Sequence, residues 1–212
     1  IAEADMCNAV DYLVERSPSS RRGVLINLGD FFHYTNMVGT TERSGHILDR
    51  DSRTAKMIDV GVRIIRRCIE RMREKHEIVE LVNAPGNHDE VFAHFLNVMF
   101  RALYENEPRV FIDNSADTYY CYEFGKTALF FHHGHKRKVA NVDTVFAAKY
   151  REVFGRTEHA YAHMGHYHSI DKKETNLMVV EQHRTLASAD AYSSRGGWLS
   201  GREANVITYH KD

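Results

Sequence analysis

Residues 23–30 read Gly-Val-Leu-Ile-Asn-Leu-Gly-Asp, an apolar run that ends in a glycine and a carboxylate. Such a run is typical of a buried strand, and it places Asp30 at the carboxyl end of that strand. Residues 78–82 predict a second buried strand, which Asn-His-Asp follows at positions 87–89. Because strand ends of α/β domains meet around one crevice, we expect these polar groups to lie together.

Periodic patterns predict alternating helices and strands in the first half of the chain and mostly strands in the second half. The predicted helices cover residues 2–16, 51–75, 89–104 and 142–153. The remaining predicted strands cover residues 109–113, 118–124, 127–133, 159–164, 177–182 and 204–209. In the third helix the spacing predicts a core-facing stripe of Val91, Phe95, Val98 or Met99, and Leu103. We expect one α/β domain over residues 1–212, with two packed β-sheets flanked by helices.

Composition narrows the possible functions. The 212 residues include 28 Lys and Arg and 29 Asp and Glu, a formal net charge of −1, which excludes a globally basic nucleic-acid-binding surface. No apolar run approaches the roughly 18 residues of a membrane-spanning helix, so no membrane partner is expected. Three cysteines far apart in sequence argue against a disulfide framework and favour a reducing, cytoplasmic location.

The chain contains 14 histidines, and seven of them fall between His132 and His168. Four short motifs follow predicted strands in order: Gly-Asp at 29–30, Gly-Asn-His-Asp at 86–89, His-Gly-His at 133–135 and Gly-His-Tyr-His at 165–168. Carboxylate, amide and imidazole groups suit divalent metal ions. Two such ions about 3.5–4 Å apart can activate water and clamp a phosphoryl group. The pattern predicts a two-metal site.

These four motifs resemble those of the calcineurin-like metallophosphoesterase superfamily, with the bacterial and phage phosphodiesterase and DNA-repair exonuclease branch the most similar in character. The likeness in motif order and spacing covers roughly residues 23–168. The resemblance implies that Asp30 bridges two divalent metal ions. It also implies that Asn87, His133 and His166 complete the shell of the second ion, and that His168 binds the first. Manganese is the expected metal, with zinc or iron as alternatives.

The resemblance further implies that His88 is no ligand but protonates the leaving oxygen, and that Asp89 orients the His88 ring. His132 and His135 flank the inferred ligand His133. Either could support the ligands from outside, and a one-residue misassignment among the three remains open.

Substrate-binding candidates follow the last motif. His183 and Arg184 end a predicted strand, and Arg195 lies in a glycine-rich stretch. An arginine held there could bind a substrate phosphate through two hydrogen bonds, although an ordinary structural loop is equally compatible with the sequence. The expected substrate is a phosphate ester, with a nucleic acid or nucleotide among the candidates. The sequence does not indicate an oligomeric state.

One family motif is absent from the sequence. The superfamily opens with Asp-x-His at the end of its first strand, but Asp5-Met6-Cys7 and Asp11-Tyr12-Leu13 both lack the histidine. We therefore expect an N-terminally incomplete domain that holds at most one metal ion tightly, at the second position. The expected function is a phosphodiesterase or nuclease in which a metal-bridging hydroxide attacks phosphorus. The alternative is a catalytically impaired, metal-binding module that recognises a nucleic acid or a protein partner.

Overall fold

The computed structural model describes residues 2–32, 54–187 and 200–211. Strands and helices alternate through the first half of the chain, as the apolar runs and helical spacings predict. The elements of this half are α1 (Ala2–Arg16), β1 (Arg22–Asn27), α2 (Thr54–Arg73), β2 (Ile78–Asn83), α3 (Glu90–Leu103) and β3 (Val110–Ile112). The elements of the second half are β4 (Tyr119–Phe124), β5 (Thr127–His132), α4 (Val142–Lys149), α5 (Arg151–Arg156), β6 (His159–Met164), β7 (Asp171–Glu174) and β8 (Val179–Gln182).

The strands form two sheets. The first is parallel, in the order β1-β2-β3, with Asn27 beside Asn83 at the carboxyl ends of β1 and β2. The second is mixed, in the order β4-β5-β6-β8-β7, and its three central strands β5, β6 and β8 are parallel. Each sheet therefore gathers the carboxyl ends of its parallel strands at one edge, where the polar motifs follow.

The two sheets pack face to face between layers of helices. Val82 and Ala84 from the first sheet form a buried cluster with Tyr120, Leu129 and Phe131 from the second. A separate apolar cluster joins the outer face of the first sheet to α1, α2 and α3, and another joins the second sheet to α4 and α5. Each sheet can pack on both of its faces because neighbouring side chains along a strand point to opposite faces. The predicted α/β class with two packed sheets is confirmed.

Three local predictions need correction. The helix predicted at 142–153 is broken at Tyr150, whose hydroxyl donates to the Tyr119 carbonyl. Residues 204–209 form no strand: the nearest backbone bonds to other segments, Glu203 N–H to Thr185 O and Lys126 N–H to Lys211 O, flank this stretch. The fully exposed strand β7 was not predicted, because its Asp-Lys-Lys-Glu sequence carries no apolar signal.

The predicted core face of α3 is wrong. Its core-facing side chains are Ala93, Leu96, Asn97 and Phe100. Val91, Phe95, Val98 and Leu103 are exposed instead, and Met99, the alternative to Val98, is partly buried against the core. The helix is apolar on both faces, so spacing alone cannot fix its rotation. A polar contact does so: Asn97 Nδ2 donates to the Asn83 carbonyl, and the Asn83 side chain donates to the Ala93 carbonyl.

None of the described helices is both long and apolar enough to cross a membrane.

Cys7 and Cys68 are buried, Cys121 is partly buried, and all three are free thiols.

Candidate metal centre

Four strand-end segments surround the candidate centre. Asp30 follows β1, Asn87 follows β2, His133 follows β5 and His166 follows β6. The backbone at Asp30 and His166 adopts φ values of 55° and 72°, in the left-handed region that side chains other than glycine rarely adopt. Left-handed residues reverse the chain sharply, so the segments after β1 and β6 turn close behind their strands and present Asp30 and His166 to the centre.

Two glycines allow the segments to approach closely. A Cβ on Gly29 would lie 2.6 Å from His133 Nδ1, and Gly29 itself has a φ of 96°. A Cβ on Gly86 would collide with the carboxylate and backbone nitrogen of Asp30. Both positions therefore require glycine for steric reasons, and Gly29 also for its backbone conformation.

The donor atoms converge around one nitrogen. His133 Nε2 lies 3.0 Å from Asp30 Oδ2, 3.2 Å from Asn87 Oδ1 and 3.2 Å from His166 Nδ1. Ligand atoms about 2.0–2.2 Å from one ion lie about 3.0–3.5 Å from one another, so these separations match a shared coordination shell. Asp30, His133 and His166 are accordingly one of two groups among the described residues that could hold a metal ion.

The chemistry of these atoms favours a cation between them. His133 Nδ1 lies 2.7 Å from the Leu28 carbonyl, which can only accept, so Nδ1 carries the proton. That contact turns the lone pair of Nε2 toward the oxygens of Asp30 and Asn87. Three electron-rich atoms that face one another repel unless a cation lies between them. Oxygen and imidazole donors of this kind suit divalent transition metals. The residues present therefore fit a metal ion.

Electrostatics keep these ligands in their binding forms. Burial raises the pKa of Asp30, but the His133 ring and the backbone N–H of His88 outweigh it and lower the pKa to about 2. Burial, reinforced by His133, lowers the pKa of His166 to about 4. At neutral pH Asp30 is ionised and His166 is neutral, and metal ions bind these forms.

His88 and Asp89 lie beside the centre but do not interact as expected. His88 Nε2 is 4.0 Å from Asp30 Oδ2, on a partly exposed ring. Asp89 is fully buried, and its carboxylate accepts from the backbone N–H groups of Gly86, Asp30 and Phe32 at 2.9, 3.2 and 3.1 Å. No hydrogen bond joins His88 to Asp89 among the described residues. Asp89 instead joins the loop after β1 to the loop after β2, which corrects its expected role.

The remaining histidines of the motifs take different positions. His168, with a φ of 54°, is exposed and lies outside the group formed by Asp30, His133 and His166. His132 points to the opposite side of β5 from His133, where its ring stacks on Tyr119 at 4.2 Å and Nδ1 lies 2.8 Å from the Thr118 carbonyl. The ring centre of His135 lies 5.3 Å from that of His133, and its buried Nδ1 makes no hydrogen bond to the described residues. Among the three neighbouring histidines, the structure directs His133 to the centre.

The substrate-binding candidates lie elsewhere. His183 belongs to a second group with His163 and Glu181, and this group shares no residue with the Asp30 cluster. Arg184 approaches Glu203 at 3.7 Å. Arg195 lies outside the described residues. The second group was missed because its members are neighbours across strands. The available signal was the spacing of Glu181 and His183, two positions apart and therefore on one face of an extended chain.

Strand-end oxygen and nitrogen donors on two packed sheets define a metal-dependent phosphoesterase architecture. The chain belongs to the calcineurin-like phosphoesterase family, whose model matches residues 4–210. This membership supports a metal-dependent hydrolase of phosphate esters that uses a two-metal centre, and the Asp30 cluster supplies candidate ligands for it.

Several solved structures are similar to the chain. A single mutant of Vps29 from Entamoeba histolytica is 11% identical, with a TM-score of 0.38 over 85% of this chain and 67% of its own. A conserved predicted phosphoesterase from Streptococcus pneumoniae is 14% identical, with a TM-score of 0.33 over 78% and 72%. Vacuolar Protein Sorting 29 from Cryptosporidium parvum is 15% identical, with a TM-score of 0.30 over 56% and 63%. No curated protein matches the sequence. The family assignment rests on the family model alone.

Proposed function

We propose that the chain is a metal-dependent phosphodiesterase that acts on nucleic acid, with Mn²⁺ as its preferred ion. The observation that carries this proposal is the convergence of Asp30, Asn87, His133 and His166 beside the partly exposed ring of His88. Asp30, His133 and His166 would hold the ion together with Asn87. His168 stays the proposed ligand of the other ion, the first of the two that Asp30 would bridge.

Asp30 and His88 have separate roles in the proposed reaction. When bound, divalent ions supply charge stabilisation for phosphoryl oxygens and a nucleophilic water at neutral pH. Asp30 carries the negative charge that such ions need, and its Oδ1 accepts the backbone N–H of His88 at 2.9 Å. This bond fixes the start of the segment that carries the His88 ring. The ring stands at the partly exposed rim of the centre, where we propose that it donates a proton to the departing alkoxide.

A cationic rim supports a polyanionic substrate. Lys136, Arg137 and Lys138 follow His135 directly, and all three are exposed. Cationic side chains next to a metal centre raise the local concentration of anions, and they contact several phosphates of an extended chain more readily than one small monoester. This arrangement favours nucleic acid over a free nucleotide.

The test compares a diester with a monoester. With Mn²⁺ present, we expect hydrolysis of bis-p-nitrophenyl phosphate to exceed that of p-nitrophenyl phosphate, and single-stranded or double-stranded DNA to be cut. His88→Asn should lower kcat by about 10²–10⁴-fold, the range for loss of an acid catalyst. His159→Ala, which changes an exposed histidine at the far end of β6, is the matched control and should act like the unaltered protein.

Changing the three rim cations to glutamine should raise KM for DNA and weaken its salt dependence, with little effect on bis-p-nitrophenyl phosphate. Metal binding without hydrolysis of any ester would contradict the proposed activity. It would favour the alternative of a metal-binding module that recognises a nucleic acid or protein partner. The specific observation behind that alternative is that the sequence lacks the Asp-x-His motif.

A further inference from the structure

A second cluster of metal-binding side chains lies on the face of the five-stranded sheet that packs toward the other sheet. His163 of β6 stands in register with Glu181 of β8. His183 follows Glu181 by two residues and therefore extends to the same side of the sheet. Tyr161, two residues before His163 on the same face, packs in the cluster between the sheets. Strand pairing alone thus brings two imidazoles and a carboxylate together.

The ligand atoms of this group are close enough to share one ion. His163 Nδ1 lies 2.9 Å from His183 Nε2 and 3.9 Å from Glu181 Oε2. All three donor atoms lie within 4.8 Å of one another. The group therefore has the dimensions of a three-ligand site without any change of backbone.

The outer atoms of the same side chains are held by other residues. His163 Nε2 lies 2.6 Å from the Tyr209 hydroxyl, and His183 Nδ1 lies 3.3 Å from the Asn205 side-chain amide. Glu181 Oε1 is bound to Lys172 Nζ at 2.6 Å, which leaves Oε2 directed toward His163. Each ligand therefore has one atom fixed from outside and one directed inward. His163 shows the arrangement of metal-binding histidines, whose outer ring nitrogen is hydrogen-bonded. The Asn205 amide nitrogen can only donate to His183 Nδ1, so without an ion the proton of the neutral His183 ring lies on Nε2, and metal binding would displace it.

Burial preserves the binding form of the rings. His163 is 5% exposed, and burial lowers its pKa to about 4. Burial also lowers the pKa of His183. The His163 imidazole is therefore neutral near pH 7, and burial favours the same neutral form of His183.

We propose that His163, Glu181 and His183 bind one divalent transition-metal ion, best matched by Zn²⁺, at a site separate from the Asp30 cluster. Two histidines and one glutamate are an established zinc ligand set, with water in the fourth position. The ion would connect β6 to the end of β8. Through Tyr209 and Asn205, it would also fix the C-terminal segment 200–211 against the sheet.

The test measures zinc stoichiometry rather than activity. The protein and its variants are dialysed against buffered Zn²⁺, and bound zinc is determined by elemental analysis. Glu181→Gln and His183→Ala should each bind one equivalent less than the unaltered protein. His159→Ala, on the same strand but outside the cluster, should bind the same amount. Glu181→Gln keeps the size of the side chain and an oxygen for Lys172, and circular dichroism verifies that each variant is folded.

A double variant separates the two clusters. Asp30→Asn together with Glu181→Gln should bind one equivalent less zinc than Asp30→Asn alone. Equal zinc content in those two proteins, or in Glu181→Gln and the unaltered protein, would overturn the proposal and leave a hydrogen-bonded network only. Because hydrolysis is not measured, failure of this proposal is distinguishable from failure of the proposed phosphodiesterase activity.

Discussion

The two clusters reach similar donor sets by different structural means. The Asp30 cluster stands on turns after four strands, with Asp30 and His166 in left-handed backbone and Gly29 and Gly86 admitting close approach. The cluster around His163 stands on regular strands, and its geometry follows from register. A centre built on turns depends on backbone details, whereas a centre built on strand faces depends mainly on its side chains. Backbone substitutions should therefore damage the first cluster selectively.

The largest effect is expected from the first cluster's carboxylate. Asp30→Asn keeps an acceptor for the His88 N–H but removes the negative charge that a metal ion needs. Several kcal/mol of transition-state stabilisation depend on that ion, which corresponds to about a 1,000-fold loss in kcat. Hydrolysis of bis-p-nitrophenyl phosphate with Mn²⁺ measures it. Activity within tenfold of the unaltered protein would place the reaction away from Asp30.

A backbone substitution tests the dependence on close approach. Gly86→Ala places a methyl group against the Asp30 carboxylate, so the loop must shift. A displacement of about 1 Å costs on the order of 100-fold in rate, and we expect that loss in kcat. Gly155→Ala in α5 is the control, because a Cβ there meets nothing within 4 Å. Equal activity of the two variants would show that the turns tolerate movement.

The buried Asp89 carboxylate, which joins the loops after β1 and β2, should affect stability as well as activity. Asp89→Asn replaces an acceptor of several backbone N–H groups with a side chain that carries its own donor. Leaving buried N–H groups without acceptors costs about 1–3 kcal/mol in the free energy of unfolding, which urea denaturation measures. Exposed Asp59→Asn should change it by no more than about 0.5 kcal/mol. An equally small change at Asp89 would show that its hydrogen bonds to the two loops do not stabilise the fold.

The smallest effect concerns the second cluster. Tyr209→Phe removes the hydroxyl next to His163 Nε2 without changing any ligand. Loss of an outer partner typically lowers metal affinity by about 10–100-fold, and we expect about tenfold for zinc in a competition titration. Tyr12→Phe, on an exposed ring of α1, should leave the affinity unchanged. Identical affinities in both variants would remove Tyr209 from the support of the site.

The sequence predicted the parts of the molecule that repeat a local pattern. The buried runs at 23–30 and 78–82 predicted strands, and the polar residues that follow them lie together because parallel strands share one edge. The rotation of α3 was not predictable from spacing, since both faces are apolar and a buried contact between Asn97 and Asn83 decides it.

Contacts between residues that are distant in sequence could not be predicted either. Asp89 was expected to orient His88, but the sequence does not show which backbone N–H groups a buried carboxylate meets. The cluster of His163 and Glu181 depends on the pairing of β6 with β8, and no motif in the sequence marks that register. Single-sequence patterns therefore locate strand-end ligands better than ligands that meet across a sheet.

The separation of its ligands along the chain sets the time at which the Asp30 cluster can exist. Leu28 and His133 contact each other across 105 residues, whereas His163 and His183 are only 20 apart. At a synthesis rate of about 5–20 residues per second, Asp30 leaves the ribosome about 5–20 s before His133. No metal ion can template the early folding of β1, because the other half of its shell has not yet been made. An ion held by all four groups could bind only after His166 has been made.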